Sequence, residues 1–208
     1  MAAMGGEHYF TAEPSAPARA GEVRFSVAGH DFQLAAAGGV FSADRLDPGT
    51  AVLLRKAELP DERTDGALLD LGCGYGPIAV VLATVAPRAT VYAVDVNERA
   101  LALARRNAQG LKIIAGTPDS VPDDVRFAEI WSNPPIRVGK SELHDLLSRW
   151  LPRLAPDGVA WLVVGRHLGA DSLAGWLVDR GWAVTRHASQ KGFRVLRVTP
   201  VDNGLSRA

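Results

Sequence analysis

"ALLDLGCGYGPIAVVLATVA", residues 67–86, joins two periodicities through three glycines. Residues 67–71 form a short apolar run, the pattern of a strand buried on both faces. Beyond Pro77, Ile78, Val81, Leu82 and Val85 recur at helical spacing. Between the two, Gly72, Gly74 and Gly76 permit positive φ and a close approach of backbone to ligand. A strand turning through glycines into a helix is the opening unit of a parallel sheet, and the helix N-terminus aims its N–H groups at the turn.

Outward from this unit the pattern repeats. "ATVYAVDV" (89–96) is a second strand and "NERALALARRNA" (97–108) a helix with Asn97 as its cap. "LKIIAG" (111–116) and "VRFAEIWS" (125–132) are the third and fourth strands. "SELHDLLSRWL" (141–151) places Leu143, Leu146, Leu147 and Trp150 on one helical stripe. "DGVAWLVVG" (157–165) is a fifth strand and "ADSLAGWLVDRG" (170–181) a helix. "WAVTRHAS" (182–189) and "GFRVLRVTPV" (192–201) have no helix between them, so they are expected to pair antiparallel. Upstream, "VRFSVAGHDFQLA" (23–35) alternates as a hairpin turning near Gly29. "LDPGTAVLLRKAEL" (46–59) starts a helix, with Asp47 as N-cap and Pro48 in the first turn. The expectation is an α/β fold, a doubly wound and mostly parallel sheet preceded by a short hairpin and helix. Residues 1–21 are expected to be a flexible tail, 22–60 the hairpin and helix packed on the core, 61–200 the core, and 201–208 a second tail.

The chain has 208 residues, 47% hydrophobic and 22% charged, enough for one globular core. No apolar run approaches membrane-spanning length, and the N-terminus lacks the basic and apolar regions of a signal peptide. A single cysteine, Cys73, excludes an internal disulfide and a multi-cysteine zinc site, and a cytoplasmic location is expected. Zero net charge argues against non-specific coating of nucleic acid, without excluding a local basic patch.

Asp95 ends the second strand, 19 residues after Gly76, a spacing that suits a carboxylate gripping two ribose hydroxyls. Glycines alone are equally consistent with a tight turn; with Asp70 and Asp95 they point to a nucleoside. A dinucleotide loop reads G-x-G-x-x-G and seats a pyrophosphate on the helix N-terminus. Here the spacing is G-x-G-x-G, and Asp70 two residues before the first glycine would repel a pyrophosphate while suiting a cation. S-adenosylmethionine (SAM), with an α-amino group, a sulfonium and no phosphate, fits this charge pattern better than NAD.

"DLGCGYGP", "YAVDVN" and "SNPPI" together resemble the class I SAM-dependent methyltransferases, and within them the small methyltransferase group, which includes bacterial 16S ribosomal RNA guanine-N2 methyltransferases. "HYF", "GGVFSADRLDPGTAVLL", "RHLGADSL" and "QKGFRVLRV" extend the resemblance over residues 8–198. It implies a Rossmann-like sheet of seven strands with an antiparallel last strand. It implies Gly72, Gly74 and Gly76 around the methionine part of SAM, Asp95 on the ribose with Val96 beside it, and Asp119 near the adenine amino group. Asn133 would border the cofactor as well as the acceptor.

"SNPPI" then acquires a chemical role. An exocyclic amino nitrogen is a poor nucleophile because its lone pair is delocalised into the ring. Two acceptors aimed at its hydrogens favour the tetrahedral shape needed for attack. The Asn133 side-chain carbonyl and the Pro134 backbone carbonyl are the candidates, held by the fixed φ of Pro134 and Pro135. The plainer reading is a strand ended by an Asn-Pro turn. Ile136 stands where an aromatic commonly stacks on the target, so Tyr9, Phe10 or Phe41 is expected to supply a wall, or else to belong to the core.

Arg137 and Lys140 are candidates for substrate phosphates. Arg166, His167, Lys191 and Arg194 flank the same edge, although scattered basic residues are ordinarily solvated. His8, His30, His144 and His187 show no ligand spacing, so no metal is expected. Cys73 reads as a space-filler. The leading function is SAM-dependent N-methylation of guanine N2 in ribosomal RNA or the 30S subunit. Adenine N6, a protein glutamine amide or a small-molecule amine would serve the same chemistry. An NAD(P)-dependent oxidoreductase and a non-catalytic SAM- or RNA-binding partner are the readings from other classes. Oligomeric state is not legible.

Overall fold

Two strands, β1 (Ala20–Val27) and β2 (His30–Ala37), form an antiparallel hairpin, and α1 (Pro48–Lys56) follows. A seven-stranded sheet then builds from β3 (Ala67–Leu71), α2 (Pro77–Val85), β4 (Thr90–Val94), α3 (Glu98–Asn107), β5 (Ile113–Gly116) and β6 (Phe127–Ser132). It is completed by α4 (Lys140–Trp150), β7 (Leu154–Gly165), α5 (Ala170–Asp179), β8 (Trp182–Gln190) and β9 (Phe193–Pro200). This computed structural model describes residues 20–37, 45–134 and 139–201.

The strand order is β5-β4-β3-β6-β7-β9-β8. β3 pairs parallel with β4 on one edge and β6 on the other, and β9 runs antiparallel to both β7 and β8. The expected mostly parallel sheet with an antiparallel last strand is what forms. Its position, threaded between β7 and β8, is set by tertiary packing. The fifth strand is longer than the 157–165 expected: Phe127 pairs with Leu154, then Glu129 with Val159, so the "APDG" of residues 155–158 loops out of register. Gly158 permits this, because a Cβ there would stand 2.9 Å from the Phe127 carbonyl oxygen.

Strand alternation sorts the core into two layers. Leu68, Trp131, Trp161 and Val163 face α1, α2, α3 and the hairpin. Leu69, Leu71, Ile130, Leu162 and Val164 face α4 and α5. α2 is apolar all round, and Pro77 through Ala83 are buried. The hairpin follows its alternation: Phe25 stands opposite Phe32 with rings 5.1 Å apart, and Val23 opposite Leu34. Its two-residue loop has Ala28 and Gly29 both at positive φ, which matches strand twist.

Besides its apolar packing, the hairpin is hydrogen-bonded to the core by Asn107. Asn107, ending α3, accepts from Ala35 N at 2.8 Å and donates to Ala35 O at 2.9 Å, as a neighbouring strand would. The same amide donates to the Tyr75 carbonyl in the glycine loop at 2.8 Å. Asn107→Ala is expected to destabilise the protein by about 1–3 kcal/mol, because three bonded backbone groups lose their partner. Urea unfolding measures it, and an unchanged midpoint would refute the staple.

Candidate active site at the switch point

The crossovers leave β3 and β6 in opposite directions, which opens a crevice at their carboxyl ends. A buried bond fixes its floor: Ser132 Oγ donates to the Leu71 carbonyl at 2.7 Å, tying the lip of β6 to the lip of β3. The glycine loop stands on one side of that bond and Asn133 on the other.

Gly72, Gly74 and Gly76 all take positive φ. A Cβ at Gly74 would meet nothing within 4 Å, whereas one at Gly76 would touch Ala104 of α3 at 3.4 Å. Gly74 therefore borders open space, and Gly76 lets the α2 N-terminus sit against α3. Gly72 N and Cys73 N both donate to Val94 O, at 2.8 and 2.9 Å, and lock the loop to β4. Asp95 closes it: Oδ2 accepts from Gly74 N at 2.8 Å and Oδ1 from Asn97 N at 2.9 Å. Burial pushes the Asp95 carboxyl up, opposed by N–H groups of Asn97, Gly74 and Val96. Val96 is 47% exposed, an apolar side chain left at the crevice edge.

Asp70 is fully buried, and its Oδ2 accepts from Ala79 N, in the first turn of α2, at 2.9 Å. The carboxyl group thus holds the helix N-terminus where a phosphate would otherwise bind. Its Oδ1 is buried and has no partner among the described residues. Burial pushes this carboxyl from 3.8 to about 8, the Ala79 N–H opposing and the Asp95 charge adding. Cys73 is buried and its thiol is raised well above its usual value, chiefly by desolvation, consistent with a space-filling role.

Asn133 is held from the other side of the chain. Its Nδ2 donates to Asp47 Oδ1 at 2.6 Å and to Thr50 Oγ1 at 3.0 Å. Asp47 Oδ1 also accepts from Thr50 N at 2.9 Å, the N-cap bond expected from the sequence. Phe193, at the start of β9, reaches the same spot: a Cβ on Gly49 would lie 3.1 Å from its ring and 3.2 Å from Asn133 Oδ1. Tyr75 is buried nearby with its hydroxyl unpartnered among the described residues, and burial with the Asp47 charge raises its phenol.

The crevice thus gathers Asp70, the three glycines, Asp95, Val96, Asn133 and Pro134. Asp119 lies in a turn after β5, exposed and paired with Arg149 at 2.7 Å. Lys140 opens α4 beside a small cavity lined by Leu143, His144 and Gly169. Arg166 and His167 are exposed after β7, Lys191 turns at φ 49°, and Arg194 is covered and paired with Asp171. His30 is exposed, His144 stacks on Trp176 at 3.9 Å, and His187 meets the Lys56 carbonyl at 2.9 Å. Pro135, Ile136, Arg137, Phe41, His8, Tyr9 and Phe10 lie outside the described residues. Among the described residues no group of His, Cys, Asp or Glu could hold a metal, and no helix is long and apolar enough to cross a membrane. Sequence reasoning missed Thr50, Phe193 and Asn107. The only signal was "DPGT", read there as a helix start alone.

A carboxylate-edged glycine loop and an Asn-Pro lip at one switch point define the crevice of a Rossmann-like methyltransferase. The chain belongs to the family described as methyltransferase small domain, which matches residues 31–197. It is 33% identical over 201 residues to the Bacillus subtilis protein named uncharacterized protein YbxB, covering 94% of this chain and 99% of that one. It is 35% identical over 168 residues to ribosomal RNA small subunit methyltransferase C of Alcanivorax borkumensis, covering 76% of this chain and 50% of that one. The chain therefore spans about half the length of that relative. In fold it is similar to the T. thermophilus 16S rRNA N2 G1207 methyltransferase solved with AdoMet and guanosine, at a TM-score of 0.70 and 24% identity, covering 89% of this chain and 51% of that one. The protein is an enzyme, a methyltransferase whose cofactor is SAM. The residues present fit that cofactor: an orphaned buried carboxyl oxygen on Asp70 suits a cation, and the loop is open at Gly74.

Asp70 carries a pH signature. In the folded protein it stays protonated up to about 8, whereas in the unfolded chain it ionises near 3.8. Folding retains a proton across that window, so its stabilising contribution is full below the window and lost as pH rises through it. Wild type is expected to lose stability relative to Asp70→Asn as pH rises from 3.8 to about 8. Urea midpoints at each pH measure this, and parallel curves would exclude a neutral Asp70.

Proposed function

We propose that this enzyme transfers the SAM methyl group to an exocyclic amino nitrogen, with guanine N2 of 16S ribosomal RNA as the acceptor. The observation that carries the reading is the Asn133 carboxamide, whose nitrogen is tied back to Asp47 and Thr50 and whose oxygen is left as an acceptor. The names of the relatives support the ribosomal acceptor, since one is a small subunit methyltransferase and one holds guanosine. A ribosomal substrate would place the enzyme in the cytoplasm.

Bound SAM supplies an electrophilic methyl group on a sulfonium. Asp95 would hold the ribose hydroxyls with the lone pairs its backbone donors leave free. Gly72, Gly74 and Gly76 would border the methionine part, with the Asp70 oxygen facing its ammonium. Val96 would cover one side of the adenine and Asp119 would lie toward its amino group. Asn133 Oδ1 and the Pro134 carbonyl would accept from the two hydrogens of the target nitrogen and draw it toward tetrahedral geometry. Pro135 would fix that carbonyl, Ile136 and Phe41 would give apolar contact, and Arg137 and Lys140 would meet phosphates. Phe193 joins this set, because its ring and the acceptor oxygen both border the space a Gly49 side chain would fill. The chain's contribution is positioning, and no covalent enzyme intermediate is required. A base within a helix would have to be flipped out to reach Asn133.

Tritium transfer from labelled SAM to 30S subunits, naked ribosomal RNA and protein extract, followed by nucleoside mass spectrometry, tests the acceptor. N2-methylguanosine is expected, and label confined to protein or small molecules would defeat the ribosomal reading. Asn133→Ala is expected to lower transfer roughly 100- to 1000-fold, the scale of losing one preorganised polar contact to the reacting group. Calorimetry should show its SAM affinity retained. Asp95→Ala should instead weaken SAM binding, and unchanged affinity would remove Asp95 from the cofactor site.

A further inference from the structure

We infer that Asp47 and Thr50 are positioning residues that set the polarity of the Asn133 carboxamide, turning its oxygen rather than its nitrogen toward the methyl acceptor. This rests on the N-methyl transfer reading above. A carboxamide's oxygen and nitrogen ends are nearly the same size, and rotation about its last torsion is broad and roughly two-fold. Packing alone therefore cannot choose between them. Main-chain rigidity from Pro134 fixes where Asn133 stands, not which end of its amide points outward. The wrong end would present two donors to the two hydrogens of the target amine.

The choice is made from 86 residues away in the chain. Asp47 Oδ1, 2.6 Å from Asn133 Nδ2, belongs to a side chain with no hydrogen to give when ionised. Turning the amide over would set oxygen against oxygen at that distance. Thr50 Oγ1 at 3.0 Å takes the second hydrogen, but a hydroxyl both gives and accepts and so could not decide the polarity alone. With both hydrogens engaged, the Asn133 oxygen is the end of the amide left without a partner among the described residues.

The clamp is itself anchored. Asp47 Oδ1 caps α1 through Thr50 N, Thr50 is only 4% exposed, and Val52, Leu53 and Leu54 bury the helix behind it. Gly49 completes the arrangement. A Cβ there would stand 3.0 Å from Asp47 Oδ1 and 3.2 Å from Asn133 Oδ1, tighter than ordinary contact with both side chains. The four residues "DPGT" thus supply an acceptor, a helix start, a gap and a second acceptor.

Two substitutions separate this role from helix capping. Asp47→Ser keeps a side-chain cap for α1 but is too short to hold Asn133 as well. Thr50→Val keeps the shape and removes the hydroxyl. In the ¹⁵N-labelled full-length protein, the Asn133 side-chain amide pair is assigned as the one missing from Asn133→Ala. It is expected to exchange with solvent at least about tenfold more slowly than exposed Asn side chains, because both hydrogens are bonded. The double variant should lose that protection, and Thr50→Ser should keep it. With SAM and 30S subunits, the double variant should lose roughly 10- to 100-fold in kcat, with KM for SAM within about twofold. Unprotected hydrogens in the wild type, protection that survives in the double variant, or full turnover after protection is lost would each overturn the inference. Full turnover in Asn133→Ala would instead overturn the N-methyl transfer reading, leaving the exchange rates to judge the clamp.

Discussion

Parallel pairing of β3 with β4 on one edge and β6 on the other is the constraint on which the rest depends. It sends successive crossovers to opposite faces, so the carboxyl ends of β3 and β6 cannot be covered by either helix layer. The glycine loop and the Asn133 amide proposed to serve the chemistry both sit on that uncovered lip. Asp70 is the last residue but one of β3, Asn133 follows β6, and the Ser132 bond to Leu71 fixes the two in relation to each other. A slip of one residue in β6 would turn Trp131 into the α4 layer and carry Asn133 off the lip.

Charge at the lip explains why the loop is not a phosphate site. The N-terminus of α2 has its first free N–H groups beside the buried Asp70 carboxyl, which takes Ala79 N. Asp95 adds a second carboxylate and spends it partly on loop N–H groups. Both suit a ligand that arrives with positive charge: Asp95 as a second carboxylate, and Asp70 through an oxygen unpartnered among the described residues, whose ionisation such a ligand would favour. They also make the loop depend on protonation, since an ionised Asp70 would be buried beside Asp95.

The segment before the sheet braces both sides of the crevice. Asn107 binds β2 to the Tyr75 carbonyl, so the hairpin braces the glycine loop. The cap of α1 braces Asn133. A chain that ended its active region at the sheet would keep the loop's bonds to β4 and Asp95 and the Ser132 bond, but would lose the Asn107 link between the loop and the hairpin and the two partners of the Asn133 amide.

By itself the sequence determined the order and kind of the elements. Local period, glycine turns and caps are written in adjacent residues, and Asn97 and Asp47 cap the helices they were expected to cap. It also determined the cofactor's charge class, because Asp70 and the glycines lie seven residues apart or fewer. Tertiary structure alone decided what distant residues do to one another. Asp47 has a complete local role as a helix cap, so nothing in its neighbourhood announces a second partner 86 positions away. Phe193 reads as an ordinary inward residue of a final strand until β9 threads between β7 and β8 and delivers its ring to Asn133. Polarity of a side-chain amide is a property of its partners, and the partners of Asn133 are brought to it only by the fold.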